Sequence, residues 1–253
     1  EHDLTDHGVD YDQHLAEWQR DYENDLKKIT GQNGIIPMFT DQMGSFTKHG
    51  GANNTGTPTS LVPAAQLKAA EDNPGKIILV GPKYFLDYAF NNGSPAHLSN
   101  YSYRHLGEYY GKVIKQTVVD HKLWKPLSPR LILKAGNYIY VQFNVPKPPI
   151  VFDTDIVSAR DNYGFEYYDD NNSAKIIKVE INNQETIKIT LDKIPTGSNQ
   201  RLRYAFTGDP NSPLGTHSLG SPAGNVRDSD NSPSLYGNKL YNWLVHFDKP
   251  ISQ

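Results

Sequence analysis

The 253-residue chain contains no cysteine. Disulfides, thiolate metal centres and a cysteine nucleophile are thereby excluded. Also missing is any apolar run near the ~20 residues that carry a helix across a bilayer, so no membrane span is expected. No signal-peptide pattern opens the sequence. Basic charge is not in excess: 25 Lys and Arg face 28 Asp and Glu, for a net charge of −3. A nucleic-acid or anionic-membrane partner is not expected from that balance. The chain also has no Gly-x-Ser-x-Gly nucleophile elbow.

What is present suffices for a sizeable core, since 37% of residues are hydrophobic and 11% aromatic. Sixteen tyrosines, with many Asn, Gly and Asp, give the polar, turn-rich surface common in extracellular carbohydrate-active proteins. In the first half, helical and short apolar segments alternate. Tyr11, Leu15, Trp18, Tyr22, Leu26 and Ile29 recur at steps of three and four, predicting an amphipathic helix with that stripe inward. GIIPMF (34–39) and KIILVGP (76–82) read as buried parallel strands. Residues 60–75, closed by Asn-Pro-Gly, read as a helix, and another is predicted over 99–119 with Ser99 as its N-cap. This is the rhythm of a doubly wound α/β sheet.

The rhythm changes at LWKPLSPR (123–130). Beyond it eight short β-branched or aromatic runs alternate with polar turns, predicting an all-β sandwich of jelly-roll type. Two domains are therefore expected, 1–123 and 124–253. Trp243 and the tyrosine-rich strands read as core.

Few residues stand out as chemistry. His97 follows the second strand by one loop and precedes a helix, at the carboxyl end where open α/β sheets bind ligands. Neutral imidazole there suits a general base, with Asp87 as the nearest upstream carboxylate to orient it. The competing reading is a solvated loop histidine. His2, Asp3, Asp6, His7 and Asp10 supply ligand types for a metal, but a polar helix entrance explains them as well, and no metal or other cofactor is expected. The acidic YDDNNS (168–173) reads as a hairpin turn rather than a Ca²⁺ loop. RDSDNSPS (227–234) reads as a hydrogen-bonded brace.

HLSNYSYRHLGEYYGKVI, preceded by KIILVGPKY, resembles the last block of SGNH (GDSL-type) hydrolases, in which a loop histidine precedes a long helix. The opening EHDLTDHGVDYDQHLAEW and the strand IPMFTDQ are similar to the sialate O-acetylesterase-like branch of that family. The resemblance covers residues 1–123 and implies an SGNH/flavodoxin-like α/β fold with a partial parallel sheet. It also implies serine esterase chemistry on an acylated glycan, with His97 as general base. Glu1 and Asp3 then buttress the site and Gln42 lines the pocket. Two departures stand out. Ser94 occupies the position three before the histidine where the family carries Asp, leaving Ser94, a backbone carbonyl or Asp87 to orient the ring. The family's Gly-Asp-Ser or Gly-Gln-Ser nucleophile turn is absent.

The reading that accommodates both is the C-terminal part of a longer carbohydrate O-acetylesterase. The nucleophile would lie upstream of Glu1, and that segment or another chain would cover the bare sheet edge. The alternatives are a non-catalytic carbohydrate-binding or adhesin module that keeps the fold, and a structural surface protein.

Overall fold

The computed structural model of the chain describes residues 9–44, 47, 58–89, 97–209 and 221–252. Glu1, Asp3 and Ser94 lie outside the described residues. The first half runs α1 (Tyr11–Thr30), β1 (Met38–Thr40), α2 (Val62–Asp72), β2 (Ile77–Leu79) and α3 (Asn100–Ile114), which continues into a π-helical turn, Lys115–Val119. β1 and β2 pair in parallel, Met38 opposite Ile77 and Thr40 opposite Leu79. Each helix ends where its sequence allows. Gly31 closes α1 in the left-handed region at φ 72°, its N–H reaching the Lys27 carbonyl. Pro63 sits in the first turn of α2, where a missing N–H costs nothing. Ser99 caps α3, accepting from the Ser102 N–H at 3.1 Å.

The second half is built from antiparallel strands. β3 (Ser128–Ala135), β4 (Tyr138–Asn144), β8 (Thr186–Leu191) and β7 (Ile176–Asn183) form one sheet in that order. β11 (Phe247–Pro250), β9 (Arg201–Tyr204) and β6 (Phe165–Tyr168) form a second, and β10 (Val226–Arg227) pairs with β5 (Val151–Phe152). The period-two pattern is strict on β4 and β8, where Ile139, Val141, Phe143, Ile187, Ile189 and Leu191 are buried and the residues between them are not. One buried cluster runs from Leu67, Leu79 and Val113 in the first half through Ile139 and Ile189 to Tyr204 and Phe247. The α/β elements and the β-rich remainder thus share a core. Close approach is enforced at Gly224, where a Cβ would lie 2.1 Å from the Tyr204 hydroxyl, so only glycine fits.

Three local expectations are corrected. The α1 stripe faces inward only at its start: Leu15 is buried with Tyr11 packed beside it, but Trp18 is 64%, Tyr22 49% and Ile29 80% exposed. The buried face carries Asp12, Gln19 and Glu23 beside Leu15. Polar groups are tolerated there because each is paired. Asp12 meets Lys68 of α2 at 2.5 Å, and Glu23 accepts from Lys27 at 2.6 Å and from Gln19 at 2.8 Å. Residues 168–173 are not a hairpin turn, since β6 and β7 belong to different sheets. Asp169 knots that crossing by accepting from the Asn171 and Ser173 N–H groups and the Tyr167 hydroxyl. Finally, KLYNWLVHF (239–247), the last of the eight runs expected as strands, does not form a strand over its length. Its strand starts only at Phe247, because residues 239–246 spend their backbone bonds on other loops.

The ion-paired face of α1 has a pH signature. Hydrogen bonds from Lys27 and Gln19 hold the Glu23 carboxyl at about 2, below its ordinary 4.5. A depressed carboxylate stabilises the fold above its unfolded value, and that contribution is lost as pH falls from about 4.5 towards 2. Glu23→Gln should flatten the fall of Tm across this window in calorimetry; a profile identical to the parent's would rule the contribution out.

Candidate functional site

The carboxyl ends of β1 and β2 converge on a polar corner. After β1, Asp41 binds Lys83 at 2.8 Å and accepts from the Tyr110 hydroxyl of α3 at 3.0 Å. Burial beside the Asp41 charge pushes that phenol well above its ordinary range. After β2 the chain turns through Lys83–Leu86, the Leu86 N–H bonding the Lys83 carbonyl at 3.0 Å. A short antiparallel stem then returns the chain: Ala89 N–H donates to the His97 carbonyl at 2.8 Å and Ser99 N–H to the Asp87 carbonyl at 2.9 Å. Ser102 of α3 locks the stem by accepting from the Asp87 N–H at 2.9 Å. His97 is therefore fixed through its backbone, between the sheet's carboxyl end and the capped start of α3.

The side chains distribute differently from the sequence reading. His97 and Asp87 are both exposed. Among the described residues nothing hydrogen-bonds the His97 ring. Gln42 does not line a pocket. It is fully buried and divides its amide among main-chain groups, Nε2 donating to the Pro63 and His246 carbonyls at 2.8 and 2.9 Å and Oε1 accepting from the His246 N–H at 2.9 Å. A buried amide satisfied this way holds the end of β1 against the entry to β11.

Two histidines absent from the sequence reading emerge here. His246 is buried against Tyr84, ring centroids 5.2 Å apart, and its Nδ1 lies 2.6 Å from the Ala205 carbonyl. Burial depresses its pKa to about 4, so the ring is neutral near pH 7, with Nδ1 donating and Nε2 without a partner among the described residues. His105 lines a cavity of about 300 Å³ with Asp87, Tyr101, Asp155 and Tyr241. Its pKa is lowered by burial. Tyr101, His105 and Tyr109 follow one another at i, i+4 along α3, a spacing that marks a common face; the partners Asp155 and Tyr241 come from distant segments and carry no such signal. Below this cavity the 227–234 segment is the expected brace. Asp228 accepts from the N–H groups of Lys147, Asp230 and Asn242, while Lys112 of α3 donates to Asp230, Asn242 and the Leu240 carbonyl. Burial raises the Asp228 carboxyl and lowers the Lys112 ammonium.

Among the described residues no cluster of three or more metal-ligating side chains occurs, and no helix is long and apolar enough to cross a membrane. Of the acidic opening run, Asp10 is described, 3.7 Å from His14 on an exposed helix start.

No family model and no curated protein sequence matches the chain. Among solved structures, the fold is similar to that of a carbohydrate acetylesterase from Xanthomonas citri, at a TM-score of 0.58 and 11% identity over 97% of this chain. The chain spans 47% of that protein's length. An S-layer protein also matches, at a TM-score of 0.25 and 11% identity over 76% of this chain and 20% of its own, too distant to define a shared fold.

Removing the Gln42 amide leaves a buried N–H and two carbonyls without partners. Gln42→Ala should cost on the order of 3 kcal/mol in urea denaturation, by the ordinary penalty for unsatisfied buried groups. His246 adds a second window. An unfolded histidine takes a proton below about 6.5 while the folded one resists to about 4, so stability declines as pH falls between those values. The His246 ring signals in NMR should titrate near pH 4; titration near 6.5 would refute the burial argument.

Proposed function

We propose that the chain is the C-terminal part of a carbohydrate O-acetylesterase-type serine hydrolase of the SGNH kind. The observation that carries the reading is the placement of His97. It sits on a rigid stem between the carboxyl end of a parallel strand and a capped helix start, in a chain whose fold is similar to that of a carbohydrate acetylesterase. In this reading residues 1–123 form the hydrolase unit and 124–253 a β-sandwich appended to it. A serine from upstream attacks the acyl carbonyl while His97 takes its proton and passes it to the departing glycan hydroxyl. Water, deprotonated by His97, then attacks the acyl-enzyme; the acid is released and His97 returns that proton to the serine. Asp87, Ser94 or a backbone carbonyl orients the ring, and Glu1 and Asp3 buttress the loop. The cavity beside Asp87, with carboxylates to accept from hydroxyls and tyrosine rings to stack on, takes a sugar residue of the glycan. The upstream segment packs on the exposed Trp18, Tyr22 and Ile29 face of α1 and pairs with the edge of β1 that has no partner strand among the described residues.

A non-catalytic glycan-binding module is the second reading. It is favoured by the absence of any described hydrogen bond to the His97 ring and by serine at position 94. Turnover separates the two. In a longer protein that includes the upstream segment, His97→Ala should lower p-nitrophenyl acetate hydrolysis about 10²-fold or more. Its Tm should not change, because the side chain is exposed. Full activity in that variant would discard His97 as the base, and glycan binding without any turnover in the longer protein would favour the module.

A further inference from the structure

The parallel pair leaves its second edge open, and that edge lines a groove of about 1130 Å³ at the seam between the α/β elements and the β-rich half. β2 is an interior strand by composition, with Ile77, Ile78 and Leu79 all buried, yet among the described residues it pairs only with β1. Interior parallel strands are ordinarily bonded on both sides, and an open edge invites another strand. The register specifies what is free. Residues 76, 78 and 80 face β1, as the Met38 N–H to Lys76 carbonyl and Val80 N–H to Thr40 carbonyl bonds require. Residues 77 and 79 therefore point into the groove. The Ile77 N–H is taken by the Asn73 carbonyl and the Leu79 carbonyl by the Trp124 indole N–H at 2.9 Å. This leaves the Ile77 carbonyl and the Leu79 N–H unpaired among the described residues. An acceptor at one residue and a donor two residues later is the pattern a single residue of a parallel neighbour satisfies, with its own N–H and carbonyl.

The groove's charge narrows the occupant. Its walls carry four cations, Lys122, Lys125, Arg130 and Lys249, and one carboxylate, Glu71, on a chain whose net charge is −3. Glu71 is consumed by Lys249 at 2.7 Å. Lys125 and Arg130 are exposed and form no ion pair among the described residues. They border an adjoining cavity of about 420 Å³ that adds one carboxylate, Glu185. Apolar side chains such as Val118 and Leu131 complete the walls. A buried strand edge offering main-chain bonds, apolar walls and surplus cations suits a peptide better than a sugar, whose hydroxyls need more polar partners than this lining offers.

We propose that an acidic, extended peptide segment of a partner protein binds here by adding to β2 as a parallel strand. One of its residues lies opposite Ile78 and bonds both Ile77 and Leu79, while its carboxylates meet Lys122, Lys125 and Arg130. The proposal is independent of the hydrolase reading, which concerns the opposite end of the sheet and its other edge.

The test uses a fluorescein-labelled, end-blocked hexapeptide, Glu-Val-Thr-Val-Asp-Glu, titrated with the full chain in fluorescence anisotropy at low salt. Saturable binding is expected, because only alternate residues of an added strand face its neighbour. N-methylation of one alternating set of residues should then weaken it about tenfold, and methylation of the other set should leave it unchanged. The double variant Lys125→Glu, Arg130→Glu should also weaken it about tenfold with unchanged Tm, since both side chains are exposed. No binding, equal effects of the two methylation patterns, or equal affinity for a peptide with lysines in place of the acidic residues would each overturn the proposal. So would concentration-dependent dimers in sedimentation equilibrium that the double variant abolishes, which would make a second copy of this chain the occupant.

Discussion

One side-chain amide ties the molecule together. Gln42 stands at the carboxyl end of β1, and its partner His246 leads into the last strand, 204 positions later. The amide answers three main-chain groups in a place without water, so neither strand end is satisfied without the other. The neighbouring core obeys the same logic. The Tyr84 hydroxyl donates to the Leu244 carbonyl at 2.7 Å, and the Tyr204 hydroxyl accepts from the Val226 N–H at 3.0 Å. Apolar burial supplies the driving force for this core, but these few directed bonds select which loops meet. They also set the position of the turn after β2, and hence of the stem that carries His97.

Besides the ion pairs on its surface, the molecule encloses several carboxylates. Asp12 and Glu23 on α1, Asp169 between two sheets and Asp228 beneath α3 are all buried or nearly so; Asp12 is met by the Lys68 ammonium and the other three each have several donors. Such groups contribute little net stability against an apolar replacement, but removing a single donor leaves a buried charge exposed to its full desolvation cost. The consequence is a fold that tolerates few substitutions at these knots. The surplus cations of the seam groove, by contrast, have few carboxylates near them.

Much of this was legible in the sequence, and the failures have a common cause. The helix–strand–helix order, the Ser99 cap and the change of period near residue 125 are local properties of ten or twenty consecutive residues, and they could be read directly. Most of the inward face of α1 could not, because apart from Leu15 its buried residues are polar and their partners Lys68 and Lys76 lie elsewhere in the chain. Periodicity counts apolar side chains, so it selected Trp18 and Tyr22 instead. The same limit explains Gln42, whose role depends on residue 246. It explains His246 too, a histidine inside an aromatic-rich run that gives no sign of being enclosed on every side. The corner around His97 was readable only as far as its backbone. Tyr241 and Asp155, which complete the cavity next to it, come from loops with no distinguishing pattern.

The three tryptophans occupy three unlike environments, which makes the molecule its own optical gauge. Trp18 stands in solvent on α1, and Trp243 is buried and stacked 5.4 Å from Phe85. Trp124 is held at the mouth of the seam by its bond to the Leu79 carbonyl. A soluble quencher reaches Trp18 readily, Trp243 only on unfolding, and Trp124 in proportion to how open the groove is. Emission from a single chain therefore separates events at the outer helix, at the seam and in the core without any label being added.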